Sequence, residues 1–472
     1  MKKFFRIFLI ILFNLFLISS SYTLISLEEE EKIGSQVLKE ISSQKEFIRD
    51  VEIISYLNAV GEKLVKYGVK FSPFKFKFFL IKDNTFNAFS VPGGYIFVNS
   101  GIFEDLDSED ELAGILSHEI AHNLCRHVAK KFEKLKKMQI TTTIATLTAM
   151  LLGGEKIGEA VGITSTALAQ TKLLAYSRSE EEEADRVGLE ILVHAGYNPW
   201  GIVKIMEKLN KKSPFAIELS YKYLLTHPLP VERLNYLINL ANKYSTKNII
   251  YSQIASDKIY FKRIRIKTEI LSNDPSELIL RYQKQLKEKN DPWIRYALAL
   301  ILSRLGFYRD AICEMKKAIT QLPNKNYFKL DLAEIYLNAG KYSKVIEILN
   351  KLKPNDNMYP TLSNIFILKK NYLLGYSLFQ MGFPQKAYRF FKQIEEKNNK
   401  ILFNNTEFYY YFGRICSELD KFGESHFYFG KYYELKGEHK IAMFHYRKAL
   451  SFLNKDSKIY IRVKNHIKNL KN

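Results

Sequence analysis

Cysteine is scarce. Cys125, Cys313 and Cys416 are the three in 472 residues, an odd number spread over distant segments. They build no disulfide framework and read as buried thiols. Long apolar runs are missing too. The N-terminal run from Ile7 to Ile18 is shorter than the roughly 20 residues of a comfortable membrane helix. The small, nearly uncharged pieces within residues 140–170 are each too short as well. An integral membrane protein with several spans is therefore excluded. For 140–170 buried helices are expected, with an apolar flap that dips into a membrane as the alternative. An acidic balance is absent as well. Lys+Arg exceed Asp+Glu by 71 − 50 = 21, and residues 241–472 carry that whole excess, 42 basic against 21 acidic, while residues 1–240 hold 29 of each. No compact Arg/Lys cluster with interleaved aromatics accompanies the charge. That argues against a nucleic-acid platform and favours a Lys-rich surface or one facing an anionic membrane.

What is present is a chain that folds around real cores, 47% hydrophobic and 26% charged. It opens MKKFFRIFLIILFNLFLISSSYTL, in which Lys2, Lys3 and Arg6 precede the apolar run and Ser19 to Ser21 supply small residues. This is the layout of a secretory signal peptide, expected over residues 1–21, with an uncleaved signal anchor as the alternative. No cysteine follows it, so a lipid anchor has no attachment site. Everything downstream is expected outside the cytoplasm.

Residues 27–67 carry apolar positions at helical spacing. From Phe74 the alternation FKFKFFLI reads as a strand, and NAFSVPGGYIFV reads as two short strands around Pro92-Gly93-Gly94. Ser108 and Glu111 fit a capping box that opens a long helix, expected to run to about Lys137. Further on, Ala299, Gly306, Tyr308 and Ala311 recur 34 residues later as Ala333, Gly340, Tyr342 and Val345. The same spacing returns at Gly375, Gly382 and Ala387, and at Gly430, Gly437 and Ala442, with Gly413, Asp420 and Ser425 as a degenerate copy. Small residues where two helices cross, at a period of 34, resemble tetratricopeptide repeats. Four or five helix pairs between about 292 and 452 would stack into a curved solenoid with a concave binding face.

The chemistry sits in His118-Glu119-Ile120-Ala121-His122. Four residues make just over one helical turn, so both imidazoles share a face and can bind one metal ion, with the Glu119 carboxylate beside them to take a proton from water. With 9 His and 36 Glu in the chain, a shuffled sequence produces this pattern with a probability of only ~0.01. A catalytic zinc site needs a third protein ligand. The candidates are the four acids Glu180, Glu181, Glu182 and Glu183, among which composition does not choose.

HEIAHNLCRH, then S-R-x-x-E-x-x-A-D from Ser177, then T-H-P-L-P-x-x-R-L from Thr226 resemble the HtpX/CAAX-prenyl-protease class of gluzincin zinc peptidases. With an export signal and C-terminal repeats, the resemblance is strongest to its periplasmic, BepA-type members. It covers residues 27–240 closely and the repeats in architecture only. It implies an α+β, mostly α fold: a signal peptide (1–21), a zinc-peptidase domain of helices plus a small sheet (22–240), a helical linker (241–290) and a repeat solenoid (291–472). It implies one Zn²⁺ per chain on His118, His122 and Glu181. Glu119 would be the general base, and Asp185, one turn beyond Glu181, would orient a ligand or handle a proton. His227 and Arg233 would stabilise an oxyanion near the metal, with His227 also a candidate fourth ligand that plugs the open position. Arg126 and His127 read as structural or supporting residues. Asn87, Ala88 and Phe89 would offer a strand to which an extended substrate adds through its backbone. The activity implied is cleavage of unfolded or misassembled proteins in the periplasm, in quality control of outer-membrane proteins. The repeats would dock on the outer-membrane assembly machinery, with peripheral membrane contact and no nucleic acid. The alternative is a latent protease that acts mainly as a chaperone or scaffold.

Overall fold

The computed structural model describes residues 25–137, 175–212, 222–228, 231–245, 258–322, 325–354, 360–397 and 406–470, with positions 144, 148, 151 and 152. The leader expected over 1–21 and nearly all of the apolar stretch 140–170 lie outside the described residues. Helices α1 (Leu27–Gln44) and α2 (Val51–Lys63) come first, each opened by a side-chain acceptor. Ser26 takes the amide of Glu29, and Asp50 takes those of Glu52 and Ile53, which satisfies donors the first helical turn leaves free.

Strands β1 (Lys77–Ile81), β2 (Ala88–Val91) and β3 (Tyr95–Asn99) form one sheet in the order β1-β3-β2. β1 runs parallel to β3, and β2 runs antiparallel to it across the Pro92-Gly93-Gly94 turn. Both glycines of that turn have φ near +80° (83° and 82°), where a Cβ would be strained. The alternation read in the sequence divides the sheet between two cores. Phe78, Leu80, Ile96 and Val98 face the main core, while Ile81, Phe89, Val91 and Phe97 pack with Ile33, Val37 and Ile41 of α1. Phe97 stacks on Phe79 and Phe89 with centroids 5.1 and 5.2 Å apart.

After α3 (Ile102–Asp105), the helix expected to run unbroken to Lys137 is two helices, α4 (Glu109–Leu124) and α5 (His127–Lys137). The break lies at Cys125 and Arg126, and Arg126 adopts φ 56°, a left-handed conformation unfavourable for a residue with a side chain. It is held there by its guanidinium, which bonds Glu30 (Nε to Oε1, 2.8 Å) and the carbonyl of Ile25. Local periodicity carries no signal of this partner 96 residues away.

Helices α6 (Arg178–His194), α7 (Trp200–Lys212), α8 (Lys222–Thr226) and α9 (Val231–Ser245) complete the N-terminal part. α6 and α7 cross α4 closely. A Cβ on Gly188 would stand 3.1 Å from the His118 backbone, and one on Gly114 would stand 2.9 Å from Ile202.

Helices α10 (Lys258–Ser272) and α11 (Pro275–Glu288) occupy the segment read as a linker. α10 is buried over much of its length, with Tyr260, Phe261, Ile264 and Ile270 inside a core that continues from the sheet into the repeats. The repeats are α12 (Pro292–Arg304), α13 (Tyr308–Gln321), α14 (Lys325–Asn338), α15 (Tyr342–Asn350), α16 (Pro360–Gln380), α17 (Pro384–Lys397), α18 (Thr406–Glu418), α19 (Phe422–Leu435), α20 (His439–Phe452) and α21 (Lys458–Asn469). Their tight turns hold Gly306, Gly340, Gly382, Asp420 and Gly437 at positive φ, the positions the repeat spacing marks. The small residues of the repeat lie where helices cross: Gly375 faces the ring of Phe391, and Gly430 that of Tyr446. The described residues are α+β, mostly α: helices around a three-stranded sheet, followed by stacked helix pairs with the turns and close crossings that the 34-residue spacing predicts.

Candidate metal centre

Ser108 caps α4 by accepting the amide of Glu111. Two and a half turns later His118, Glu119 and His122 point into the interior, each 0% exposed. The two imidazoles converge, with His118 Nε2 and His122 Nε2 3.0 Å apart.

α6 delivers the next group. Glu181, Asp185 and Gly188 follow at spacings of four and three, so they share the face that crosses α4. Of the four consecutive acids Glu181 alone is buried, at 1% exposure, while its neighbours reach solvent. Its Oε2 lies 3.6 Å from His118 Nε2 and its Oε1 3.4 Å from His122 Nε2. Asp185 backs the first histidine, with Oδ1 3.0 Å from His118 Nδ1.

Arg233 of α9 ties these acids together. Its Nε and Nη2 donate to the two oxygens of Asp185 at 2.5 and 2.8 Å, and its Nη1 donates to the Pro228 carbonyl at 2.9 Å and pairs with Glu181. The oxyanion role expected of Arg233 meets this geometry badly. Its donors are spent on Asp185, Glu181 and Pro228, so its position is that of a clamp.

His227, at the end of α8, enters from the other side. Thr226 Oγ1 lies 2.9 Å from its Nδ1, and its Nε2 points into the cage, 3.5 Å from Glu119 Oε1 and 4.0 Å from Glu181 Oε1. One ligand atom from each of His118, His122, Glu181 and His227 fits within 4.8 Å of the others. Among the described residues, the Glu119 oxygens, Glu181 Oε1 and His227 Nε2 find no hydrogen-bond partner although fully buried. Unsatisfied polar atoms are costly in an interior. Two imidazoles, a carboxylate and a third imidazole converging on one point fit a divalent cation.

The electrostatics agree. Burial and the neighbouring imidazoles push His122 and His227 well below the usual histidine range, and burial lowers His118 although Asp185 opposes it. Each shift favours the neutral ring, which has a lone pair to give. Burial raises Glu181 well above the carboxylate range against the pull of Arg233, and raises Glu119 to about 8 with Ser90 and Arg233 offsetting only part. Burial would raise Asp185 too, but Arg233 holds it below its ordinary value.

Two aromatic walls flank the cage outside the His-Glu-x-x-His motif. Tyr176 stacks on His122 with centroids 3.9 Å apart, and Tyr223 stacks on His227 at 4.3 Å and 9°. Tyr176 directly precedes the Ser177 motif, the signal that would have marked it. Tyr223 has no sequence mark beyond lying four residues before His227. Asn87 and Phe89, expected to bind substrate, line a small cavity of about 30 Å³ with Pro92, Tyr176, Thr226 and His227. Ala88 lies beside it, 0% exposed, on the edge strand β2.

The fold and this donor set define a metallopeptidase. Residues 55–241 match the model of peptidase family M48, and that segment is an M48 peptidase domain, which makes the protein a metalloendopeptidase using a divalent metal. The chain is 27% identical over 350 residues to the beta-barrel assembly-enhancing protease of Yersinia pestis, spanning 73% of this chain and 70% of that one. It is 25% identical over 401 residues to the protein of the same name from Escherichia coli (strain K12), spanning 82% and 76%. To the mitochondrial metalloendopeptidase OMA1 of Saccharomyces cerevisiae it is 30% identical over 184 residues, 38% of this chain and 50% of that one. No helix among the described residues is long and apolar enough to cross a membrane.

Proposed function

We propose that the protein is a zinc-dependent endopeptidase of the bacterial envelope that cleaves unfolded or misassembled proteins, in quality control of outer-membrane proteins. The observation that carries the catalytic part is the convergence of His118, His122 and Glu181 beside the unpartnered carboxylate of Glu119. Those three residues would hold zinc, the ion that a His/His/Glu set favours. Zinc bound there supplies Lewis acidity, polarising the scissile carbonyl and making water a nucleophile near neutral pH.

The chain's own groups do the rest. Glu119 accepts the proton of the attacking water and hands it to the leaving amine. Asp185 fixes His118 through Nδ1, and Arg233 holds Asp185 and Glu181 in register. His227 Nε2, drawn back from the cage, donates to the oxyanion. The edge strand β2 from Asn87 to Phe89 offers its backbone to an extended substrate, which suits clients of many sequences. The domains follow the motifs: a signal peptide over 1–21, the peptidase over 22–240, a helical linker over 241–290 and repeats over 291–472. In this reading the chain is exported to the periplasm, makes peripheral membrane contact, and uses its repeats to dock on outer-membrane assembly machinery. The names of the two bacterial relatives described above support the link to β-barrel assembly.

A second reading has its own observation. His118, Glu119, His122, Glu181 and His227 are each at most 1% exposed, and His227 stands as a fourth potential ligand within 4.8 Å of the other three. Closed in this way the enzyme is latent and works mainly as a chaperone or scaffold until His227 withdraws.

The test is cleavage of reduced casein by the full-length protein and by Glu119→Gln, with bound zinc measured in both. Cleavage by the parent that vanishes in a zinc-replete variant supports the peptidase reading. Equal cleavage by both removes Glu119 from the mechanism. Silence from both favours the latent reading.

A further inference from the structure

The reversal of the chain at Arg126 has a chemical consequence. A helix continuing past Leu124 would carry residue 127 outward, but φ 56° at Arg126 folds His127 back under the metal-binding turn. His127 is 0% exposed. Its Nδ1 lies 3.1 Å from Nδ1 of His122, with the two rings at 71°, and its Nε2 lies 3.1 Å from Oε2 of Glu183.

Two ring nitrogens 3.1 Å apart bond by sharing one proton, so one donates and the other accepts. His122 Nε2 faces the cage, 3.4 Å from Glu181 Oε1. A neutral imidazole that lends Nε2 to a metal carries its proton on Nδ1. His122 is therefore the donor and His127 Nδ1 the acceptor. That places the proton of His127 on Nε2, opposite the Glu183 carboxylate. Each proton along the chain has one acceptor, and each ring has one tautomer.

We propose that Glu183 and His127 form a positioning relay for His122, locking its tautomer and ring plane and raising its donor strength toward the metal. Resting on the metal reading above, this gives the second histidine the support that Asp185 gives the first. One ligand is backed by a carboxylate directly, the other by a carboxylate acting through an imidazole. Cys125, His127 and Glu183 also place ligand atoms within 4.8 Å of one another. The relay uses both nitrogens of His127 and needs nothing from the thiol, and this separates it from a second metal site.

The experiment is zinc affinity of the full-length protein by chelator competition, with thermal melting of the metal-free protein alongside. His127→Phe keeps the bulk and removes both nitrogens. It should weaken zinc binding about 10- to 100-fold, the usual effect of losing an outer partner of a ligand. His127→Gln, whose amide can accept from His122 and donate to Glu183, should recover most of that loss, which a purely structural role would not allow. Glu183→Ala should weaken binding in the same direction, and its half-exposed position leaves folding intact should His127→Phe fail to fold. Cys125→Ser should bind as the parent does. The relay is overturned by parental affinity in His127→Phe or Glu183→Ala, or by a Gln variant no better than Phe. A loss in Cys125→Ser as large as that in His127→Phe overturns it in favour of a second metal on that cluster. A parent that binds no zinc sinks the metal reading itself, and the relay with it.

Discussion

Replacing Glu52 by Gln removes one charge from a fully buried cluster that joins the peptidase fold to the repeats. From α2, Glu52 accepts from Lys267 Nζ at 2.8 Å, Arg263 Nη2 at 2.9 Å, Tyr260 Oη at 3.0 Å and Lys369 Nζ at 3.2 Å. On the far side Asp331 of α14 accepts from Arg263 Nε and Nη2, both at 2.6 Å, and from Tyr296 Oη at 3.0 Å. The variant keeps the shape but leaves three buried cations facing Asp331 and the partly exposed Asp50 and Glu334. Breaking a buried ion pair from one side costs about 3–5 kcal/mol, a large share of the ~5–15 kcal/mol by which domains are stable. The assay is hydrogen exchange read in α10, whose opening requires the cluster to part. Amides there should exchange roughly 10²- to 10⁴-fold faster in Glu52→Gln. An acceleration of less than about fivefold would refute the reasoning, since it would mean under ~1 kcal/mol.

The same cluster sets a pH dependence. Burial alone would raise Glu52 and Asp331, but Arg263, Lys267 and Lys369 hold Glu52 well below, and Asp331 below, their ordinary values of 4.5 and 3.8. Between the folded and unfolded values the unfolded chain binds more protons, so the stabilisation is fully present above about pH 4.5 and is lost as pH falls through the folded values. Glu52→Gln should flatten that acid limb in a melting series against pH.

Three further outcomes follow from the site. His227→Ala separates the two readings of this residue: reduced casein should be cleaved more slowly than by the parent if His227 donates to the oxyanion, and faster cleavage would assign it to closure of a latent enzyme. Arg233→Lys cannot hold both oxygens of Asp185 together with Glu181, so zinc affinity by chelator competition should fall about 10- to 100-fold, and parental affinity would show that the clamp is dispensable. Gly188→Ala puts a methyl group 3.1 Å from the His118 backbone and should lower stability by about 1–3 kcal/mol in urea unfolding; an unchanged midpoint would mean α6 can move aside freely.

The relation between sequence and structure differs from element to element. The pair His118 and His122 was legible because one turn of helix is a local fact, and a spacing of four puts both rings on one face in any helix. The sheet was legible through its period of two. The repeat turns were legible because Gly306, Gly340, Gly382 and Gly437 occupy conformations that a Cβ disfavours, and Asp420, which tolerates the same conformation, stood where the spacing asked for a glycine.

Other features depend on what lies opposite in space. Four adjacent glutamates are equivalent as sequence, and Glu181 differs because Gly188 lets α6 press that face onto α4. The helix break at Arg126 follows from a bond to Glu30, far away in the chain, and without it His127 would not meet His122. Arg233 reads as a charge free to meet substrate until Asp185 and Glu181 are found around it. Glu52 and Asp331 read as ordinary helix acids until α10, buried where a linker was expected, brings three cations between them. The sequence by itself determined the chemistry of the site and the periodicity of the elements, because spacing along a helix or strand is fixed by backbone geometry. The tertiary structure decided which charges are buried and paired, because desolvation and close approach depend on the neighbour across the interface and not along the chain.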